Sequence, residues 1–116
     1  MVVGVQEQRQ VDRLFHSLAD ATRRDIVTRT MGREHSVSEL AGSYPMSFAA
    51  VQKHVAVLER AELVTKRRQG REQLVRANID AIRCMYRLLD ELESQWLDRL
   101  DRFAHVLADD LDRRPD

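Results

Sequence analysis

Glycine and proline are scarce, with four and two residues in a chain of 116. So few turn formers exclude a sandwich or barrel of many short strands and favour a mainly helical chain. Cysteine occurs once, at Cys84. That excludes an internal disulfide framework and an all-cysteine metal site. No stretch approaches the roughly 18 apolar residues of a membrane span. Residues 1–10 carry neither a long apolar run nor a cleavage site, so no signal peptide is expected and the default compartment is the cytoplasm. Lysine is rare too: Lys53 and Lys66 are the only two among 19 basic residues, a bias that points to codon usage more than to physics. There is no Gly-rich phosphate loop, no nucleophile elbow and no clustered His, Cys and carboxylate set, so an enzyme is not expected.

What is present suits one soluble domain. Hydrophobic residues make up 43% and charged residues 33%, which excludes a disordered tail and allows a core without staples. Basic and acidic residues balance at 19 each, but the signs are not evenly spread. Residues 41–77 hold seven basic and three acidic side chains, a net +4; residues 90–116 hold four and nine, a net −5. A chain with a basic middle and an acidic end can turn the middle toward a polyanion and the end away from it.

Periodicity predicts a run of helices, one hairpin and a long last helix. Val11, Leu14, Phe15 and Leu18 fall at helical spacing. Asp20 is placed to cap a second helix carrying Ile26, Val27 and Met31, with Gly32 as its stop. Ser36-Val37-Ser38-Glu39 has the spacing of a capping box and opens a short third helix. Gly42-Ser43-Tyr44-Pro45 reads as a turn. Ser47 then caps a fourth helix running to about Ala61, with Val51, Val55 and Leu58 facing inward. Two short strands around Gly70 fill residues 63–77. Asn78 or Asp80 caps the last helix, whose apolar residues recur every three or four positions from Ile79 to Leu111.

Such a last helix reaches roughly 50 Å at 1.5 Å per residue, against a radius of gyration of roughly 13 Å for a domain of this size. The short helices cannot cover its stripe. Leu92, Trp96, Leu100, Phe103 and Leu107, joined by Leu14 and Phe15 on the first helix, are therefore expected at the interface of a twofold homodimer.

A capped helix, a turn, a helix with a polar outer face and a basic hairpin make the plan of a DNA reader. Ser47, Phe48, Ala49, Gln52 and Lys53 lie off the inward face and would enter the major groove. Gln52 suits adenine, Lys53 guanine or phosphate, and Phe48 and Ala49 thymine methyls. Lys66, Arg67, Arg68 and Arg71 around Gly70 suit phosphates or the minor groove.

On these residues the chain resembles the ArsR-type winged helix-turn-helix transcriptional regulators. The resemblance is carried by Leu18-Ala19-Asp20-Ala21-Thr22-Arg23-Arg24-Asp25-Ile26, Ser36-Val37-Ser38-Glu39-Leu40-Ala41 and Ala50-Val51-Gln52-Lys53-His54-Val55-Ala56-Val57-Leu58. It continues in register through Ala61-Glu62-Leu63-Val64 and Arg68-Gln69-Gly70-Arg71-Glu72. The resemblance implies a single winged domain, with the helix-turn-helix over about 36–61, the wing over about 63–77 and dimerisation helices over about 8–18 and 78–111. It also implies a homodimer on double-stranded operator DNA, acting as a repressor or autorepressor at a palindromic site. The alternative is a winged-helix module for protein–protein contact. The chain departs from the family pattern at Ala21, where Pro is common, at Gln52, where Ser is common, and at Glu62, where Gly is frequent.

Neither a cofactor nor a metal is expected. Metal-sensing members resemble one another in a Cys motif on the third helix, and Leu40-Ala41-Gly42-Ser43-Tyr44 has neither Cys nor His. A second family site uses several His on the last helix; here Asp101, His105 and Asp109 line up at i, i+4 and i+8 with one His, and read as a solvated stripe in which His105 pairs with Asp101. Cys84 reads as a small apolar filler and not a redox thiol. His54 leans inward, toward a packing or capping role. Any small-molecule effector is left open.

Overall fold

The computed structural model describes residues 4–113. The chain divides into two compact units, Met1–Met85 and Tyr86–Asp116.

The first unit holds α1 (Val5–Ser17), α2 (Ala21–Gly32), β1 (His35–Ser36), α3 (Val37–Gly42), α4 (Phe48–Arg60), β2 (Val64–Gln69), β3 (Glu72–Ala77) and the opening turns of α5 (Ile79–Asp112). The helix starts obey local chemistry. Asp20 Oδ1 accepts from the Arg23 amide at 3.0 Å, and Ser47 Oγ from the Ala50 amide at 3.1 Å. The Ser36–Glu39 capping box is closed in both directions, at 3.0 and 3.2 Å. Of the two candidates for α5, Asn78 does the capping, its Oδ1 accepting from the Asp80 amide at 3.2 Å. Gly32 is the last residue of α2 and an extended Arg33 is the C-cap, so the helix ends without a left-handed glycine.

The end of α4 is a Schellman motif. The Leu63 amide donates to Leu58 O and the Glu62 amide to Glu59 O, both at 2.9 Å. Glu62 therefore sits at φ +64°, in the left-handed region. This explains the physical preference for glycine at such a position, because a side chain there costs about 1–2 kcal/mol. Glu62→Gly is expected to stabilise the fold by about 0.5–1 kcal/mol once the extra freedom of the unfolded chain is offset. Thermal unfolding followed by circular dichroism tests it, and a lowered midpoint would contradict it.

The sheet has three strands in the order β1-β3-β2, all antiparallel. Periodicity predicts only β2 and β3. The two residues of β1 are too few to show alternation, yet they pair His35 with Val75 and Ser36 with Leu74. β3 is thus a central strand and the hairpin is tied to the segment that opens α3. Beneath it lies a core that includes Ile26, Leu40, Val51, Val55, Leu58, Leu63 and Val75. The buried hydroxyls of Ser17 and Thr30 are satisfied by Leu14 O and Ile26 O, each at 2.8 Å.

Leu14 belongs to this core. It is 1% exposed, so it is not offered to a partner as the sequence suggests; Phe15, its neighbour, is exposed. The helical period turns the two side chains about 100° apart, and only one of them can face the core.

The second unit is the remainder of α5. Among its described residues only Leu88 is partly covered; all others are exposed. The apolar stripe is included, with Trp96 at 62% and Phe103 at 61% exposure. No helix among the described residues is long and apolar enough to cross a membrane.

Candidate nucleic-acid interface

α4 presents two faces. Val51, Val55 and Leu58 are buried. Phe48, Ala49, Gln52 and Lys53, at i, i+1, i+4 and i+5, are exposed on the opposite side. Phe48 is 48% exposed at the first helical position, so about half of a large apolar ring faces outward there. The Ser47 hydroxyl accepts from the Ala50 amide as the N-cap, and its exposed O–H is left to donate to another partner.

The hairpin turns through Gly70 and Arg71, between the paired Gln69 and Glu72. Gly70 has φ +63° and Arg71 is not among the residues at positive φ, the φ pattern of a type II′ turn, which asks for glycine at its first central position. The four wing cations divide into two pairs. Arg67 is held by Glu34 through a fork of 2.8 and 3.1 Å, and Lys66 Nζ lies 3.2 Å from Glu59 Oε1. Arg68 donates to Gly70 O at 3.2 Å, folded over the turn. Among the described residues Arg68 and Arg71 make no salt bridge. The tip therefore carries the free positive charge, and the two cations nearer the body are already paired. Sequence reasoning missed Glu34 and Glu59, because both lie outside the hairpin and only the β1–β3 pairing and the packing of α4 bring them near.

His54 sits on the inner flank of α4. Its Nδ1 is 3.3 Å from Arg23 Nη1. Arginine can only donate, so Nδ1 carries the lone pair. Arg23 also donates to Ser17 O at 2.6 Å and His16 O at 3.0 Å, and Arg24 to Leu18 O at 2.7 Å. These two arginines tie the end of α1 to α2, and Arg23 extends the tie to α4. Asp20 beside them is held below its usual value, chiefly by the hydrogen bond from the Arg23 amide. The ordering of α1, α2 and α4 thus rests on polar contacts as well as on the core.

On α5, His105 Nδ1 lies 2.9 Å from Asp101 O and 3.7 Å from Asp101 Oδ1. Among the described residues no three His, Cys, Asp or Glu side chains are grouped closely enough to hold a metal ion. Cys84 is partly buried against the core. A groove of about 260 Å³ opens between α1 and α4, lined by Arg13, His16, Val57, Arg60 and Ala61.

No family model matches the chain. The HTH-type transcriptional regulator Rv2034 of Mycobacterium tuberculosis is 33% identical over 99 residues, covering 85% of this chain and 90% of that protein. An ArsR-like transcriptional regulator from Rhodococcus sp. RHA1 is 29% identical with a TM-score of 0.78, covering 88% of this chain and 96% of that one. A homodimeric winged helix-turn-helix DNA-binding domain from Mycobacterium bovis shares the fold, with a TM-score of 0.62 at 22% identity over 80% of this chain and 91% of that one.

Proposed function

The chain belongs to the ArsR family of DNA-binding transcriptional regulators, which are not enzymes, and from that premise we propose that it is a homodimeric repressor that reads a palindromic operator without a metal signal. The observation that carries this reading is the combination of an unpartnered outer face on α4 with a free cationic tip on the hairpin. Gln52 reads adenine, Lys53 meets guanine or phosphate, and Phe48 and Ala49 contact thymine methyls. Arg68 and Arg71 take phosphates, while Lys66 and Arg67 would have to exchange a glutamate for a phosphate to join them.

The exposed stripe of α5 supports a second copy as partner. From Leu89 to Leu111 its members are Leu89, Leu92, Trp96, Leu100, Phe103, Leu107 and Leu111, in steps of three or four. Their mean spacing is close to the natural helical period, so two such helices pack with little supercoiling. Phe15 on α1 is an exposed apolar residue as well. A twofold axis would set the two copies of α4 in successive major grooves, about 34 Å apart. The absence of Cys and His from the α3 segment supports a regulator that does not answer to metal.

Fluorescence anisotropy with the duplex upstream of the protein's own gene tests the reading. A random duplex, several salt concentrations and added zinc complete the comparison. Tight, salt-sensitive and zinc-indifferent binding is expected. Equal affinity for the random duplex would favour a protein-contact module. Gln52→Ala is expected to lose about 1–3 kcal/mol of discrimination at one base pair per half-site. Substituting each operator position in turn locates that pair; an equal loss on every sequence would remove Gln52 from base reading.

A further inference from the structure

Three side chains outside the proposed interface converge on the turn that precedes α4. Asp25 and Arg29 lie one turn apart on α2. Tyr44 lies in the five-residue link, 43–47, that joins α3 to α4. The Tyr44 hydroxyl donates to Asp25 Oδ2 at 2.6 Å. Arg29 Nε donates to the same oxygen at 2.7 Å. The Arg29 guanidinium stands 5.5 Å from the centre of the Tyr44 ring, within cation–π range, and its Nη1 is 3.4 Å from Ser43 Oγ. Ser43 Oγ in turn donates to Glu39 O at 3.3 Å. The contacts are mutually supporting. Asp25 is held below its usual value, first by the Tyr44 hydroxyl and then by Arg29. Burial and that same hydrogen bond push Tyr44 up to about 12.

We infer that Asp25, Arg29 and Tyr44 form a bracket that positions the N-terminal end of α4, and that sequence discrimination by α4 depends on it. This rests on the DNA-reading role proposed above. The C-terminal half of α4 is fixed by Leu58 and the Schellman motif. Its first turns, which carry Phe48, Ala49 and Gln52 around the buried Val51, begin four residues after Tyr44, directly after the link. A bidentate contact to a base edge tolerates little displacement. Attraction between arginine and phosphate tolerates more, since it is long-ranged and indifferent to sequence. Releasing the turn therefore costs discrimination before it costs affinity. Asp25, Arg29 and Tyr44 are positioning residues; none of them is assigned to a base.

The test uses a duplex enriched by the wild-type protein from a randomised pool, with a scrambled duplex as control. The readout is the ratio of the two dissociation constants, measured well below the unfolding midpoint. Tyr44→Phe keeps the ring and removes the hydroxyl. It is expected to lower the ratio about tenfold, with binding to the scrambled duplex and its salt dependence unchanged. Asp25→Ala is expected to do the same, and it carries the expectation if Tyr44→Phe does not fold. Asp25→Asn keeps an oxygen acceptor for the hydroxyl and should recover part of the ratio. The double variant Asp25→Ala/Tyr44→Phe should be no worse than Asp25→Ala alone. A wild-type ratio in Tyr44→Phe, or an equal loss on both duplexes, would overturn the inference. If the wild-type protein enriched no duplex at all, the DNA-reading role itself would fall, and this role with it.

Discussion

Trp96→Asp is expected to raise the dimer dissociation constant about a thousandfold while leaving the helix content intact. The two halves of that expectation have separate causes. Trp96 is 62% exposed in the single chain, in a stretch of α5 without buried residues, so the fold has little to lose from its removal. In a twofold dimer the residue is buried twice. A buried tryptophan anchor is typically worth about 2 kcal/mol or more, and two copies together give about 4 kcal/mol, close to three decades. Replacing it with a charge adds the cost of burying an aspartate. Sedimentation at micromolar concentration should show monomers, and operator affinity should collapse, because each half-site is then bound without help from the other. A variant that stayed dimeric would move the interface elsewhere.

Leu58→Ala is expected to destabilise the chain by about 2–5 kcal/mol. Leu58 is 0% exposed, and its carbonyl accepts the Leu63 amide that closes α4. It belongs to the buried core cluster, so its truncation leaves a cavity inside the core. Against a total stability of about 5–15 kcal/mol, the change is large enough to read directly from urea unfolding. A shift below 1 kcal/mol in ΔG would mean that the site repacks and that α4 is not seated as described.

The helices and their caps were legible from sequence because the signals are local. Asp20, Ser36 with Glu39, and Ser47 each satisfy amides three positions away, and a three-residue spacing is visible in any sequence. The inward face of α4 was equally plain. What escaped notice depends on distant partners. β1 has only two residues and exists because β3 arrives beside it. Glu34 is 33 positions from Arg67, and Tyr44 is 19 from Asp25; no periodicity links such pairs. Leu14 was misassigned for a related reason. A helical pattern marks which residues are apolar, but it does not say which of two adjacent apolar side chains the core will take. The departure at Glu62 was visible from the family pattern, and its left-handed backbone gives that departure a physical meaning. The exposure of Phe48, Ala49, Gln52 and Lys53 follows from the helical period, whereas the pairing of Lys66 and Arg67 with glutamates outside the hairpin does not.

The most direct test is the salt dependence of operator binding, compared between the wild-type protein and Arg68→Ala/Arg71→Ala. Each phosphate contact contributes about 0.9 to the slope of log affinity against log salt. Two arginines on each of two wings should therefore reduce the slope by about 3.6, with the preferred sequence unchanged. A double variant that kept the wild-type slope would contradict the account, because the free cations of the hairpin tip would then not meet DNA.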